Sequence, residues 1–516
     1  MKDWNRREFL ADMGKGMLIV SVGPALTADL GLGSAFAADE PKRLLFGERE
    51  PLVALMQDTR ADKLLSLVVA KLKDGTELKA LVAAAALANV RTFGGHNYEG
   101  YHAFMALAPA FQMAKEMPEA KAALPVLKVL YRNTSDMQEQ GGSKSEALHP
   151  VTAAELPRNR PGGELLREAT RKWDLDAAER RFAALAKGPV AETFNHLQYA
   201  IQDELEVHRV VMAWRAWEML DLAGKEHAHT LLRQSVHYCV EEEEWRRNGK
   251  RWPPPEIRTL LPKLLDQYKL LGRSPGERKA EDAWVERLAD TIYGGASDRA
   301  ADTVAAALAE GISPEDIGEA FSLAANRLVL CDPGRQQPDG DEKPVGSVHG
   351  SSPCVHASDA ANAWRNIARV SDPRNAFASL IVGAYHTAGQ SGGFNKQPQP
   401  LPEQLEKIKA KDADVLLRDA EAAIKDRAQP RACALVHRYG ELGYPARPVF
   451  DLLLKYAVSE DGALHAEKYY RTVTEEFAAT RPAFRWRHLV ALARVTASEY
   501  GFPAPGYAEA CRLLNV

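Results

Sequence analysis

Apolar residues recur at every third or fourth position along most of the chain, with charged residues between them. This spacing places the apolar side chains on one face of an α-helix, and the same segments are rich in the strong helix formers Ala, Leu, Glu, Lys and Arg. The apolar–polar alternation typical of β-strands is nearly absent. The pattern predicts an all-α protein, with helices over residues 62–73, 77–92, 175–186, 200–224, 298–310, 314–330 and 450–458.

Particular residues indicate where helices start and where loops lie. Ser313 stands directly before Pro314 and Glu315, and a serine in this position can cap the free amides of the first helical turn. Two polar stretches rich in Pro and Gly, 332–346 and 389–402, predict loops. The three prolines at 253–255 predict a seam between two halves of the chain.

The two halves of the chain resemble each other. In each, a glycine stands sixteen residues before an arginine, a His-Ala pair follows with a tyrosine 29 residues after its histidine, and another His-Ala pair comes later. The shared order predicts an internal duplication, with two related all-α units packed around a common interface. The matched residues are Gly75 and Gly311, Arg91 and Arg327, His102 and His356, Tyr131 and Tyr385, and His227 and His465.

The N-terminus has the pattern of a twin-arginine export signal. Arg6 and Arg7 lie in a charged head, an apolar stretch covers residues 17–32, and a small-x-small cleavage site follows at 35–37. The apolar stretch is short and interrupted, so we expect no permanent membrane anchor. The pattern predicts export by the twin-arginine translocase to the periplasm or the exterior. Because such passengers generally cross folded, it also favours a cofactor loaded before export.

We accordingly divide the chain into a signal peptide at 1–37, a first helical half at 38–250, connecting helices at 251–290 and a second helical half at 291–516.

The formal net charge of −4 and the pI near 6.4 argue against nucleic acid as a partner. The five cysteines form no CxxC motif, which argues against covalent c-type haem, a thioredoxin-like pair and a four-cysteine zinc site. One disulfide suits an oxidising compartment, with Cys331 and Cys354 as the favoured pair.

Two segments each contain a loop histidine and a histidine at a predicted helix start. His96 precedes His102 by six residues and His349 precedes His356 by seven, while His386 is placed to return to the same region. Neutral imidazole is the commonest protein ligand of transition metals. Two such pairs from related halves can surround one ion. The sequence therefore predicts a metal site from these five histidines, and histidines that merely cap helices are the alternative.

A second group of histidines occupies residues 195–238. Interpreted as one helix from 195 to 222, this region places His196 and His208 on different faces, whereas Glu204 and His208 share a face. Glu226 and His229 form the Glu-x-x-His motif of di-iron bundles, but they do so once where such bundles need two copies. Solvated helix faces are therefore the favoured interpretation of this region.

Residues 356–365, with the sequence HASDAANAWR, resemble the helix-start histidine segment of the questin-oxidase-like proteins. Residues 96–107 are more distantly similar to the histidine-rich segment of the same family. Members are helical, and the characterised ones are oxygenases that act on aromatic polyketides. The resemblance implies a histidine-lined pocket at His96, His102 and His356. It does not extend to the substrate, because this chain carries an export signal and has Tyr101 before His102 where the family has a histidine doublet.

Together these features predict a metal-dependent oxidoreductase acting on a small molecule, with an oxygenase as one form of it. Tyr101 and Tyr385 are the candidate catalytic residues, as proton donors or as hydrogen-bond donors to bound oxygen species. Iron or copper is the favoured metal, and zinc, which would indicate hydrolysis, stays open. The alternatives are a non-catalytic helical binding or scaffold protein and a non-covalent haem protein with one axial histidine.

Overall fold

The computed structural model describes residues 43–248, 255–392, 395 and 397–516, and the predicted export signal lies outside them. In this part the chain forms 23 α-helices and no strand, which confirms the all-α prediction. Residues Leu45–Val516 make one compact unit. The helices before residue 249 are α1 (Glu50–Asp58), α2 (Ala61–Lys73), α3 (Leu78–Phe93), α4 (Tyr98–Ala114), α5 (Leu124–Gln140), α6 (Gly162–Arg171), α7 (Leu175–Leu185), α8 (Val190–Ile201), α9 (Val207–Ala223) and α10 (Ala228–Asn248).

The chain continues as a helical array after residue 254. Its helices there are α11 (Ile257–Gln267), α12 (Asp282–Gly294), α13 (Ser297–Ala309), α14 (Pro314–Cys331), α15 (Pro353–Val370), α16 (Pro373–Gly389), α17 (Pro402–Leu405), α18 (Ala413–Lys425), α19 (Gln429–Glu441), α20 (Arg447–Ser459), α21 (His465–Ala479), α22 (Trp486–Glu499) and α23 (Tyr507–Leu514). Short 3₁₀ helices lie at Gly47–Arg49, Glu119–Lys121, Gly142–Lys144, Lys225–His227 and Gly462–Leu464. In the described part of the chain, none of these helices has both the length and the hydrophobicity needed to cross a bilayer.

Local signals explain several helix boundaries. The predicted helices at 298–310 and 314–330 correspond to α13 and α14. The hydroxyl of Ser313 accepts the backbone N–H of Glu315 at 3.3 Å, as the sequence predicted for the start of α14. Helix α3, which is rich in Ala, Leu and Val, is buried on all sides from residue 81 to its end. Such a helix belongs to the core.

The single helix predicted over 200–224 is interrupted at residues 202–206, between α8 and α9. Polar contacts fill the gap: Arg171 binds both carboxylate oxygens of Asp203, at 2.5 and 2.7 Å, and the side chain of Glu206 caps the first turn of α9. A helix that continued through this segment would break these contacts. His196 and His208 therefore lie on separate helices, and the predicted relation between them on one helix was wrong.

Four helices form a closed ring inside the unit. Helix α9 packs against both α4 and α15, and α21 packs against the same two helices. Two helices of the ring come from each predicted half of the chain, although the duplication itself stays a prediction. Each of the four carries a histidine within its first two turns: His102 in α4, His208 in α9, His356 in α15 and His465 in α21.

A buried carboxylate joins three helices around this ring. Glu476 of α21 accepts hydrogen bonds from Ser322 of α14 at 2.6 Å, and from Asn362 and Arg365 of α15 at 2.9 and 2.6 Å. Burial by itself would raise the pKa of Glu476, but Arg365 and the hydrogen bonds lower it to about 2. This carboxylate and the Arg365 guanidinium are both buried and compensate each other's charge, while the partly exposed Glu315 is a second carboxylate, 3.4 Å from Arg365.

Replacing Glu476 with glutamine is expected to lower the free energy of unfolding by about 3 kcal/mol at pH 7, because Arg365 loses its buried counter-ion and keeps the partly exposed Glu315 at 3.4 Å. The pKa of Glu476 is lower in the folded chain than its usual value of 4.5. Its contribution to stability is therefore complete above about pH 4.5 and lost as the pH falls towards 2. Urea unfolding at pH 7, 4 and 3 should show that the free energy of unfolding falls less with decreasing pH in the variant than in the wild type. An equal decrease in the two proteins would contradict the prediction.

Candidate metal centre

Three imidazoles from three helices converge inside the ring. One ring nitrogen from each of His102, His356 and His465 lies within 4.8 Å of the other two. The Nε2 atoms of His356 and His465 are 3.3 Å apart. Two nitrogen ligands that each lie about 2.1 Å from one ion are separated by roughly 3.0 to 3.5 Å in square or tetrahedral geometry. The spacing suits a shared metal ion.

A backbone carbonyl holds the other nitrogen, Nδ1, of each of these rings. The pairs are His102 with Tyr98 at 2.7 Å, His356 with Ser352 at 3.1 Å, and His465 with Ala463 at 2.8 Å. A carbonyl oxygen can only accept, so each Nδ1 carries the proton and donates it. Nε2 then keeps its lone pair and is left for the cluster. Metal-ligating histidines have this arrangement almost without exception.

His208 adds a fourth imidazole, which is backed by a carboxylate. Its Nδ1 lies 2.6 Å from one oxygen of Glu206, and the other oxygen of Glu206 accepts the hydroxyl of Tyr238 at 2.7 Å. Burial would raise the pKa of Glu206, but His208 and Tyr238 together bring it down to about 2, so the carboxylate is ionised. The Nε2 atoms of His208 and His102 are buried and have no hydrogen-bond partner among the described residues.

The four rings are arranged as a quadrilateral. Its sides between ring centroids are 4.8 Å (His102–His208), 5.3 Å (His208–His356), 5.0 Å (His356–His465) and 4.8 Å (His465–His102), and the His102–His356 diagonal is 6.5 Å. Four imidazoles bound in a square at about 2.1 Å would have centroid sides of about 4.6 Å and diagonals of about 6.5 Å. These ring spacings resemble those of a square set, but the nitrogens that already meet within 4.8 Å are those of His102, His356 and His465, and that of His208 is outside this group.

The cluster is largely buried, and burial keeps the imidazoles of His102, His356 and His465 neutral. Burial, with Lys468 as the next cause, lowers the pKa of His102 and of His465 well below the ordinary value, and burial lowers that of His356 to about 3. Lys468 lies one turn after His465 and is itself only 2% exposed. Burial lowers the pKa of Lys468 to about 8, against the opposing effect of Asp359. A buried lysine thus stands beside the cluster.

Two tyrosines of α4 cover one side of the cluster. The ring centroid of Tyr98 is 4.1 Å from that of His102, and the ring centroid of Tyr101 is 5.0 Å from that of His102 and 5.1 Å from that of His208. Burial, followed by the charge of Glu206, raises the pKa of Tyr101 well above its ordinary value. Tyr101 therefore remains a phenol next to two of the imidazoles.

Of the residues proposed from the sequence, the structure brings together His102, His356 and Tyr101. His349 is close by, with its ring centroid 6.4 Å from that of His465. However, Nδ1 of His349 accepts the backbone N–H of Ser351 at 3.0 Å, so the ring proton is on Nε2, which lies 3.6 Å from Glu499. In this tautomer His349 borders the cluster without directing a lone pair into it.

His96, His386 and Tyr385 lie elsewhere. His96 contacts His237 of α10, at 3.2 Å between ring nitrogens. Nδ1 of His386 accepts the indole N–H of Trp364 at 3.3 Å inside the protein. Tyr385 is buried in α16, where the carboxylates that raise its pKa, after burial itself, are those of Glu256 and Asp298. These three residues have no ring contact with the four clustered histidines in the part of the chain that the structure describes.

Sequence reasoning missed His208, His465, Glu206 and Lys468 as site residues. His465 had been noticed only as the match of His227, which instead lies 2.8 Å from Arg49. A usable signal was present, because His208 and His465 both stand at the start of a helix, as His102 and His356 do. Lys468, one turn after His465, was a further signal, since a lysine on the buried face of a helix is unusual.

The disulfide favoured from the sequence is not formed. Cys331 and Cys354 are both free thiols, and Sγ of Cys354 donates a hydrogen bond to Asp332 at 2.7 Å. Burial raises the pKa of the Cys354 thiol well above its ordinary value, with Asp332 adding to the effect. Neither thiol belongs to the histidine cluster.

No family model, curated protein or solved structure matches the chain. Fold and site alone therefore define its class, an all-α protein with a buried group of histidines that could hold a metal ion.

Proposed function

We propose that this protein is a metal-dependent oxidoreductase in which His102, His356 and His465 bind one iron or copper ion and His208 is the fourth ligand. The observation that carries the proposal is the convergence of imidazoles whose Nδ1 atoms are already engaged. A buried polar atom without a partner costs about 1–3 kcal/mol. A metal ion would give the Nε2 atoms of His102 and His208 the partner that the protein does not supply.

The ligand set and its shape support a redox metal. Imidazole suits iron, copper, nickel and zinc. The centroid spacings of the four rings, which resemble those of a square set, favour a tetragonal ion such as Cu(II), or iron with two further positions open, with His208 completing the three nitrogens that already meet. Zinc prefers a tetrahedral site. Bound iron or copper would supply one-electron chemistry together with an open coordination position.

The chain's own residues have separate tasks in this proposal. Glu206 orients His208 and makes it a better donor, because a carboxylate that accepts the Nδ1 proton raises the basicity of Nε2. Tyr101 keeps a phenolic proton beside the His102 and His208 rings, from where it can protonate or hydrogen-bond a substrate oxygen. Lys468 places a positive charge near the cluster, which stabilises an anionic substrate group.

We also propose export by the twin-arginine translocase, on the strength of Arg6, Arg7 and the cleavage site that follows. The four-histidine centre supports the proposal that the protein is exported in the folded state. Its four histidines come from helices spread over most of the chain, so a metal can be loaded only after the chain has folded. The resemblance to questin-oxidase-like proteins is kept as part of the proposal for His102 and His356 only, and it assigns no substrate.

The direct test is metal analysis of the full-length protein after export by its native route and a brief wash with EDTA to remove exposed ions. We expect about one iron or copper ion per chain, with a visible or EPR spectrum that changes on reduction with dithionite and returns on reoxidation. Zinc without a redox response would contradict the oxidoreductase proposal. A chain without stoichiometric metal would indicate a binding or scaffold protein, and an intense Soret band would indicate haem.

A further inference from the structure

A second pair of imidazoles lies outside the four-histidine cluster. Nε2 of His96, in the loop between α3 and α4, is 3.2 Å from Nδ1 of His237 in α10. The ring centroids are 5.2 Å apart and the planes are tilted by 54°. In the described part of the chain, the rings of His96 and His237 contact each other, and neither contacts the four clustered histidines. The pair is thus a separate feature.

A carboxylate engages the outer nitrogen of each ring. Nδ1 of His96 lies 2.6 Å from Glu241, one turn beyond His237 on α10, and Nε2 of His237 lies 2.5 Å from Glu179 of α7. An ionised carboxylate only accepts, so both outer nitrogens carry protons and donate them. The two inner nitrogens then face each other with lone pairs. Two lone pairs cannot stay 3.2 Å apart unless a cation or a proton lies between them.

The backbone is shaped to bring His96 to α10. Gly95 has φ +93°, and a Cβ at this position would lie 2.2 Å from the carbonyl oxygen of Gln234, one turn before His237. Only glycine permits such an approach. The loop that contains Gly95 and His96 therefore packs closely against α10, and this contact places the imidazole of His96 next to that of His237.

Geometry and charge favour a metal cation in this gap. Nitrogens 3.2 Å apart suit an ion about 2.1 Å from each, with an N–metal–N angle near 100°, roughly tetrahedral. Glu241 and Glu179 bring two negative charges, and Arg233, 3.3 Å from Glu179, compensates one of them. The side chains of His96 and Glu241 are 34% and 39% exposed, so water can complete the coordination shell.

We infer that His96 and His237 form a second binding site, open to solvent, for a divalent transition-metal ion such as Zn²⁺. It is independent of the four-histidine centre and uses two carboxylate-backed imidazoles, of which His96 is partly exposed and His237 is buried. The other possible occupant of the gap is a proton shared by the two rings.

The test is the Zn²⁺ stoichiometry of the full-length protein at pH 7.5, measured by calorimetric titration after metal removal with a chelator. We expect His96→Ala and His237→Ala each to bind about one Zn²⁺ fewer per chain than the wild type. Glu241→Gln should keep the site but bind Zn²⁺ about 10- to 100-fold more weakly. His437→Ala, which replaces a partly exposed histidine of α19, is the matched control and should bind as many ions as the wild type.

The inference fails if His96→Ala and His237→Ala retain the wild-type stoichiometry, since the rings would then share a proton. Circular dichroism of each variant shows whether it is folded, and Glu241→Gln keeps both imidazoles in place in case the alanine variants unfold. The test compares the Zn²⁺ stoichiometry of wild type and variant, so its outcome does not depend on whether the four-histidine centre binds metal. Loss of an ion in His356→Ala, with the ion at His96 retained, would report on that centre separately.

Discussion

The His356→Ala variant is expected to lose the ion of the buried centre, with at least a 100-fold fall in metal affinity. His356 contributes one of three converging nitrogens, and its Nε2 is only 3.3 Å from that of His465. Removing a direct ligand should cost more than the roughly 10- to 100-fold that removing a residue behind a ligand costs. Metal content of the purified variant and competition with a coloured chelator measure the effect, and any redox activity of the metal should disappear with it.

The matched control is His386→Gln. His386 is buried in the neighbouring helix α16 and was predicted from the sequence as a ligand, but its Nδ1 is occupied by the indole N–H of Trp364. This variant should keep the wild-type metal content, and thermal unfolding shows whether either change destabilises the fold. Metal loss in His386→Gln together with full occupancy in His356→Ala would reject the assignment of the centre.

The Glu206→Gln variant should bind the same metal about 10- to 100-fold more weakly, while its stoichiometry stays unchanged. Glutamine can still accept the Nδ1 proton of His208, but it lacks the negative charge that makes the imidazole a stronger donor. Tyr238→Phe should have a smaller effect in the same direction, because Tyr238 reaches the ligand only through the second oxygen of Glu206. Metal competition assays on the three proteins give the order of affinities.

Glu204→Gln is the control for this series. Glu204 lies two residues before Glu206 and is the more buried of the two, and its carboxylate pairs with Arg246 and Arg258 and not with a histidine. The change should leave metal affinity unaltered even if it lowers stability. A Glu206→Gln variant with wild-type affinity would show that His208 is not a ligand, and the three remaining histidines would then constitute the centre.

Half of the proposed ligand set could be predicted from the sequence. His102 and His356 were identified because each stands at a predicted helix start, within similar segments of the two halves. His208 was assigned to a solvated helix face, within a region taken for one helix. The break at residues 202–206 depends on contacts with Arg171 and Arg258, which are distant in sequence. His96 was assigned to the same site as His102, six residues away, yet the glycine loop directs it to α10.

By itself, the sequence determined that the chain is helical and where many helices begin, because periodicity and caps act between residues a few positions apart. It also placed histidines at helix starts. Only the tertiary structure decided which of them meet, since His356 and His465 are 109 residues apart and touch only when α4, α9, α15 and α21 close into a ring. The partner of each Nδ1 then fixes which nitrogen faces inward, and that choice depends on the folded backbone around each ring.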